Sequence, residues 1–176
     1  MQAEDLLILV NDQDQEIGFE TKLKTHQEGL LHRAFSIFVF RANDDAELEL
    51  LLQERAHHKY HSGGLWTNTC CSHPRKGETL EAATQRRMIE EFGFQCELSY
   101  VDAFIYKAQV GGLIEHEYDH VFVGYYRDQK IEANPEEIAA YKWIKIDSLD
   151  KDLETHPQRY TAWFKQSYDL IKKAIS

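Results

Sequence analysis

The chain has 176 residues, of which 43% are hydrophobic and 12% aromatic, and its formal net charge is −10. This length and apolar content can supply one hydrophobic core of ordinary size, which argues against a disordered chain. The negative charge disfavours a nucleic-acid or anionic-membrane partner, because those contacts depend on clustered Lys and Arg. An anionic ligand would therefore have to be held by metal ions or by a local basic cluster.

The cysteine content and the first residues predict a cytoplasmic protein. The sequence has three cysteines, and two of them, Cys70 and Cys71, are adjacent. This is not the pattern of a disulfide framework in a small secreted protein, so we expect free thiols. The first apolar run, Leu6–Val10, is bracketed by Asp5 and Asn11 and is too short for a signal peptide or a membrane span.

Segments rich in β-branched and aromatic residues predict strands. Strands with a few interspersed helices are typical of an α+β or α/β sandwich. Only three prolines occur, without repeats or low-complexity stretches, so we expect a single domain over residues 1–176. The predicted strands, in chain order, are Leu6–Val10, Ala34–Arg41, Leu48–Gln53, Leu65–Cys71, Tyr100–Val110, Glu117–Tyr126 and Tyr141–Ile146.

At least two helices are predicted between and after these strands. In Glu78–Phe92, Leu80 and Met88 fall on one face with the last residue, and Gly93 can end the helix. The second helix is predicted over Pro157–Ile175, with the proline in the first turn.

The fourth predicted strand ends with a thiol and an imidazole two residues apart. If strand geometry continues to His73, then Cys71 and His73 point to one side of the sheet and Cys70 points to the other. Such a pair can bind a metal or transfer protons, so Cys71 is the functional candidate and Cys70 a packing residue. Taken alone, a cysteine in a strand is more often a small buried hydrophobe.

Two acids begin the sixth predicted strand. Glu115 and Glu117 lie on one face, with His116 and Tyr118 on the other. Two carboxylates on one face of a buried sheet repel each other unless a cation lies between them. A solvated strand start is the alternative, with about equal weight.

Two further histidines, His26 and His32, lie in a turn-like segment near the start of the chain. With His73, Glu115 and Glu117 they would form a site of three imidazoles and two carboxylates. That ligand set suits zinc or another divalent transition metal and tolerates Mn²⁺ or Mg²⁺. We interpret the remaining histidines as solvated or structural; they are His57, His58, His61, His116, His120 and His156.

The helix that follows Glu78 resembles the Nudix box, whose acids hold a diphosphate-bound Mg²⁺. Two positions depart from it, since Ser72 stands where the box begins with Gly and Arg87 stands where it carries Glu. Losing that Glu weakens the case for diphosphate hydrolysis, whereas Arg87 adds a cation near the phosphates. An amphipathic helix with a charged outer face is the alternative.

Four basic residues are candidates for holding a diphosphate. Guanidinium forks match phosphate oxygens, and ammonium groups add point charge. In a chain with 28% charged residues, basic side chains that simply face solvent are the alternative. The candidates are Lys22, Arg55, Lys59 and Arg87.

Taken together, these features resemble the type I isopentenyl-diphosphate isomerases over roughly Leu6 to Ile171. The combination of motifs is far more specific than any one of them. The segments that carry the resemblance are Leu31–Ser36, Leu51–Arg55, Trp66–Pro74, Tyr106–Ala108, Glu115–Glu117 and Ala162–Phe164.

The resemblance implies a Nudix-like α+β fold, in which a mixed-sheet sandwich has flanking helices. It also implies a divalent metal, Mn, Zn or Mg, at the histidine and glutamate site, and Mg²⁺ shared by Glu91 and the substrate diphosphate. The family's catalytic thiol falls on Cys71 and its catalytic glutamate on Glu117. Its assisting tyrosine falls on Tyr106 and its cation-facing indole on Trp163. The implied metal ligands are His26, His32, His73, Glu115 and Glu117.

The implied reaction converts isopentenyl diphosphate to dimethylallyl diphosphate through a carbocation, in isoprenoid biosynthesis, with Cys71 and Glu117 on opposite faces of the substrate. We expect this small-molecule substrate, no nucleic-acid or membrane partner, and a monomer or weak homodimer. A Nudix hydrolase is the first alternative, which Arg87 disfavours. A non-catalytic metal-binding module is the second, and it leaves Tyr106 and Trp163 unexplained.

Overall fold

The residues described by this computed structural model, 5–59 and 61–175, form a mixed sheet with α-helices packed against it. The α+β class predicted from the sequence is confirmed. The elements in chain order are β1 (Leu6–Val10), β2 (Glu16–Thr21), α1 (Lys22–Glu28), β3 (His32–Ala42), β4 (Leu48–Arg55), β5 (Trp66–Thr67), β6 (Cys70–Ser72), α2 (Leu80–Phe92), β7 (Leu98–Val110), β8 (Leu113–Tyr125), β9 (Ile138–Lys145), α3 (Ile146–Thr155), a 3-10 turn (Pro157–Arg159) and α4 (Phe164–Ile175).

Strand β3 lies in the middle of the sheet because its sequence is apolar on both faces. Phe35 and Ile37 pack in a cluster with buried residues of α2, whereas Phe38 and Phe40 pack in a second cluster with buried residues of α4. This alternation is the two-residue period of a strand. The sheet is therefore the middle layer of a sandwich, with α2 on one side and α4 on the other.

The pairing of β3 brings distant parts of the chain together. It runs parallel to β8 from the pair His32 and Glu117 to the pair Phe40 and Tyr125. It also pairs antiparallel with β1, β4 and β6. On the other side of β8, the antiparallel strand β7 places Tyr106 opposite Glu117. The ends of these strands meet in one region, which holds the candidate site.

Helix α2 begins at Leu80 rather than at the predicted Glu78, because Thr79 caps it. The Thr79 hydroxyl accepts a hydrogen bond of 3.1 Å from the backbone N–H of Ala82. Gly93 ends the helix in the left-handed conformation, as predicted, with φ of 72°.

The prediction of one strand over Leu65–Cys71 is wrong. Two short strands replace it. Between them, the side chains of Asn68 and Thr69 form the hydrogen bonds to β3 that backbone groups would form in a continuous strand. The Asn68 amide donates to the carbonyl of Ile37 at 3.0 Å, and the Thr69 hydroxyl accepts from the N–H of Val39 at 2.9 Å. The chain therefore bends at Asn68, and the second short strand, β6, pairs with β3.

The prediction of one continuous helix over Pro157–Ile175 is also wrong. The proline begins a short 3-10 turn, as its first-turn preference suggests, but α4 starts only at Phe164. Between them, Thr161 donates its backbone N–H to the carbonyl of Trp66 at 3.0 Å. This attachment leaves Trp163 in the turn just before α4.

Three elements were absent from the sequence prediction: β2, α1 and α3. Helix α1 replaces the predicted turn-like segment, and it starts at the N-cap Thr21 and ends at Gly29, with φ of 66°. Its residues Lys22 and His26 are four apart, so both lie on one helical face. No helix in the described part of the chain combines the length and apolarity needed to cross a membrane.

Gly93 gives a test of how α2 is terminated. A Cβ added there would lie 2.9 Å from the Cβ of Glu132, in addition to the left-handed backbone strain. At Gly111, φ is also positive, at 63°, but a Cβ would meet nothing within 4 Å. We expect Gly111→Ala to lower the free energy of unfolding by about 1 kcal/mol and Gly93→Ala to lower it by about 2 kcal/mol or more, measured by urea denaturation. Equal losses would show that the crowding at Glu132 is relieved without cost.

Candidate metal and active site

Three histidines and a glutamate from four parts of the chain converge in one cluster. His26 comes from α1, His32 from the start of β3, His73 from the segment after β6 and Glu115 from β8. One ligand atom from each of them lies within 4.8 Å of the others. Glu117 adjoins this group, with Oε2 at 3.4 Å from Nε2 of His32 and 2.8 Å from Nε2 of His73. The cluster thus contains all five residues predicted as metal ligands.

The orientation of the imidazoles suits metal binding. Nδ1 of His26 lies 2.7 Å from the carbonyl of Lys22, and Nδ1 of His32 lies 2.9 Å from the carbonyl of Leu30. Because a carbonyl can only accept, each Nδ1 must carry the proton in these bonds. Each Nε2 then presents its lone pair to the cluster, which is the ligand tautomer.

The electrostatics of the cluster also fit a cation. Burial lowers the pKa of His73 to about 4, despite the opposing charge of Glu117, so its imidazole is neutral. Burial raises the pKa of Glu115, but the adjacent His26 and His61 outweigh it and lower this pKa well below its usual range. The buried Nε2 of His32 has no hydrogen bond of acceptable geometry within the described residues. A divalent ion among these atoms would satisfy the lone pair and the adjacent carboxylates.

Cys71 lies beside this cluster on β6, and Cys70 points into the core, as the alternation predicted. The sulfur of Cys71 accepts a hydrogen bond of 3.1 Å from the indole N–H of Trp163, and the thiol donates to the side-chain oxygen of Asn68 at 2.9 Å. Burial, together with the charge of Asp119, raises the pKa of Cys71 to about 12. The thiol is therefore neutral and carries a proton near pH 7.

Glu117 is fixed by residues on both sides of β8. The hydroxyl of Tyr106 donates to Oε1 of Glu117 and lies 3.4 Å from Oε2 of Glu115. Burial and the charge of Glu115 raise the pKa of Glu117, but the adjacent His32 and His73 outweigh them and leave it lowered. Glu117 is therefore an ionised carboxylate that can accept a proton.

The four predicted diphosphate-binding cations line the same pocket as Cys71, Glu117 and Trp163. Desolvation and the nearby Lys59 and Arg55 lower the pKa of Lys22, which reflects the concentration of positive charge there. The cations in the pocket are Lys22, Arg55, Lys59 and Arg87.

Glu137, which the sequence analysis did not single out, lies among these cations. Its carboxylate accepts a hydrogen bond from Lys59 and forms an ion pair with Arg87 at 3.1 Å. Arg87 lowers the pKa of Glu137 against the effect of burial. A bound diphosphate would compete with Glu137 for the same donors.

Among the histidines that the sequence analysis interpreted as solvated or structural, His61 is not solvated. It is buried against Glu115, with Nε2 at 2.5 Å from Oε1. His61 lies in a loop of mostly polar residues, which has no strand or helix periodicity from which its burial could have been predicted. His57 and His58 are exposed as predicted, and His120 is structural, with Nε2 at 2.9 Å from Asp14.

Comparisons with known proteins agree with this site. A model of the NUDIX domain matches residues 30–164. A curated protein of Serratia proteamaculans named isopentenyl-diphosphate Delta-isomerase is 51% identical over 162 residues, covering 92% of this chain and 88% of that protein. The chain belongs to the isopentenyl-diphosphate Delta-isomerase family. Another relative with that name, isopentenyl-diphosphate Delta-isomerase 2 of Photorhabdus laumondii, is 51% identical over 164 residues, covering 93% of this chain and 90% of the relative.

Solved structures of more distant proteins share the fold of this isopentenyl-diphosphate Delta-isomerase family member. A protein of Deinococcus radiodurans matches with a TM-score of 0.72 at 16% identity, covering 96% of this chain and 98% of the other. At this identity the likeness concerns the fold alone. The expectation of a Nudix-like fold is confirmed by the domain match and by this structure.

In this isopentenyl-diphosphate Delta-isomerase family member, Glu91 is already engaged by protein groups. It is buried and accepts hydrogen bonds from Gln53 at 2.8 Å and from Arg87 at 3.0 Å. The thiol of Cys70 donates to the same carboxylate at 3.2 Å. A Mg²⁺ ion shared by Glu91 and a diphosphate would have to displace part of this network, and this role stays a prediction.

Thiol labelling tests the environment of Cys71. In the native protein without added substrate, we expect alkylation of Cys71 at pH 8 to be about 10³-fold slower than in urea, because the buried thiol has a pKa of about 12 and thiolate is the reactive form. The rate should rise with pH up to the highest pH at which the fold persists. Mass spectrometry of alkylated peptides measures each site, and fast labelling of native Cys71 with a midpoint near pH 8.5 would contradict the expectation.

Proposed function

We propose that this chain is an isopentenyl-diphosphate Delta-isomerase that interconverts isopentenyl diphosphate and dimethylallyl diphosphate. The observation that carries the proposal is that a protonated thiol, Cys71, and an ionised carboxylate, Glu117, line one pocket together with a cluster of cations. An allylic isomerisation needs one group that gives a proton and another that takes one. The curated relatives that share most of this sequence bear the name of this activity.

The substrate would be held by its diphosphate. Arg55, Lys59 and Arg87 offer guanidinium and ammonium donors at one end of the pocket, and Lys22 adds a fourth cation. Mg²⁺ bound with the diphosphate would neutralise the remaining charge. The five-carbon chain would then extend toward Cys71 and away from solvent.

In the direction from isopentenyl diphosphate, Cys71 gives its proton to the terminal alkene carbon. The thiol becomes a thiolate, and a tertiary carbocation forms at the adjacent carbon. Glu117 then removes a proton from the neighbouring methylene, so the double bond moves and the cation disappears. In the reverse direction the two groups exchange roles.

Two aromatic side chains support this step. Trp163 is almost fully buried, and its π system can stabilise a transient cation by about 2 kcal/mol or more in a desolvated site. Its indole N–H also donates to the sulfur of Cys71, which stabilises the thiolate formed when the proton leaves. Tyr106 donates to Glu117 and fixes the carboxylate that accepts the proton.

The donor set of three imidazoles and two carboxylates fits a divalent ion, Mn²⁺, Zn²⁺ or Mg²⁺. The residues that would hold it are His26, His32, His73, Glu115 and Glu117. When bound, the ion supplies fixed positive charge that orients the carboxylate of Glu117 and tunes its proton affinity.

Isotope incorporation tests the reaction. With Mg²⁺ and Mn²⁺ in deuterated water, we expect conversion of isopentenyl diphosphate to dimethylallyl diphosphate carrying deuterium, followed by proton NMR. Cys71→Ala and Glu117→Gln should each lower the rate by about 10²-fold to 10⁴-fold, which is the range for a lost acid or base.

Cys96→Ala is the matched control, because this thiol lies in the core cluster with α2 and does not line the pocket. Its rate should stay near that of the unmodified chain. If isopentenyl diphosphate instead persists while phosphate or diphosphate accumulates, the isomerase proposal fails and a hydrolase is indicated.

Metal removal tests the histidine and glutamate site independently of turnover. We expect a chelator to lower the melting temperature and Mn²⁺ to restore it, because an ion present at 100 times its dissociation constant adds about 2.7 kcal/mol to the free energy of unfolding. His73→Ala should abolish most of this response. His57→Ala, at an exposed loop position, should retain it, and calorimetric melts of the three proteins, each with chelator and with Mn²⁺, decide the comparison. A metal-independent melting temperature in the unmodified chain would exclude the site.

A further inference from the structure

His61 lies in the loop that joins β4 to β5, yet its side chain is buried. Only 6% of that side chain is exposed, compared with 75% for His57 and 63% for His58 in the same loop. A loop histidine with this burial requires a partner for its ring nitrogens. The loop also carries Lys59, so His61 connects the cationic part of the pocket to the metal cluster.

The partner of His61 is Glu115. Nε2 of His61 lies 2.5 Å from Oε1 of Glu115, and the His61 ring lies edge-on to Trp163, with centroids 6.0 Å apart. Its Nδ1 lies 3.3 Å from the hydroxyl of Ser62. Separately, the backbone carbonyl of His61 accepts from Arg55 at 3.3 Å, a contact that a change of side chain leaves in place.

The distances distinguish a residue that contacts the carboxylate of Glu115 from a sixth metal ligand. Two ligands at right angles on one ion, each about 2.1 Å from it, lie about 3.0 Å apart. The separation of 3.1 Å between Nε2 of His26 and Oε1 of Glu115 fits that arrangement. The separation of 2.5 Å from Nε2 of His61 is too short for it, so His61 contacts the carboxylate of Glu115 directly instead of sharing the ion with it.

The partners of the His61 ring indicate how it is oriented. The carboxylate of Glu115 can only accept, so Nε2 faces it as the donor nitrogen. Nδ1 lies on the side of the Ser62 hydroxyl. The other oxygen of Glu115 is approached by the hydroxyl of Tyr106 at 3.4 Å, so the carboxylate is held from two sides.

We propose that His61 is a positioning residue that holds the carboxylate of Glu115 in the orientation required of a metal ligand. The proposal rests on the metal site of the proposed function. Hydrogen-bond partners of metal ligands typically contribute 10-fold to 100-fold to metal affinity, because they fix the ligand before the ion arrives. His61 acts through Glu115 and does not contact the ion.

The test uses metal binding without substrate. The full chain and its variants are titrated with Co²⁺ in competition with a chromophoric chelator, and the visible absorption of bound Co²⁺ reports the ligand set. We expect His61→Ala to weaken Co²⁺ binding about 10-fold to 100-fold with an unchanged absorption band. His61→Gln, whose amide N–H can reach a similar place, should recover most of the affinity. His58→Ala is the matched control and should bind as the unmodified chain does.

Each contrary outcome identifies what has failed. If His61→Ala binds Co²⁺ as tightly as the unmodified chain, the positioning role is wrong while the metal site stands. If the absorption band changes and His61→Gln does not recover affinity, His61 is itself a ligand and the positioning role is again wrong. If the unmodified chain binds no Co²⁺, the metal site and the role of His61 fall together. Circular dichroism of the metal-free variants verifies that each is folded.

Discussion

The parallel register between β3 and β8 fixes the relative positions of the strand residues in the site. It sets His32 beside Glu117 and, four residues further along β3, sets Ser36 beside Val121. On its other side, Ser36 pairs with Cys71 of β6. A slip of one residue would turn Glu117 away from the cluster and bring His116 or Tyr118 in its place. The buried aromatic residues on both faces of β3 oppose such a slip, so core packing and site geometry depend on one alignment.

This alignment places several buried charged groups close together, and each of them needs opposite charge nearby to be stable. At one end of the pocket, two buried carboxylates of β8 face three imidazoles. At the other end, Arg87 is held between Glu91 and Glu137, which raises its pKa further and keeps it charged. The two ends are complementary to two kinds of ligand, a cation at the first and an anion at the second. Cys71 and Glu117, the groups proposed to transfer protons, line the same pocket.

Much of the arrangement could be predicted because strand alternation is strict. It separated Cys71 from Cys70 and placed both carboxylates of β8 on one face. Alternation does not show where side chains take over the hydrogen bonds of the backbone, so the bend at Asn68 was not predicted. Helix α1 is only seven residues long, too short for a clear helical period, although it supplies His26. His61 acts through tertiary contacts from a loop, and local sequence does not encode these contacts in any readable pattern.

The environment of Cys71 affects how readily its thiol is oxidised. Peroxides attack the thiolate, and the thiol form reacts far more slowly. Since burial raises the pKa of Cys71, the resting protein contains almost no thiolate for an oxidant to reach. In the proposed reaction, the thiolate arises only when a proton has been transferred, and at that moment the substrate would cover the sulfur. A fold that keeps this sulfur protonated in the resting protein therefore guards it against oxidation without a reductant of its own.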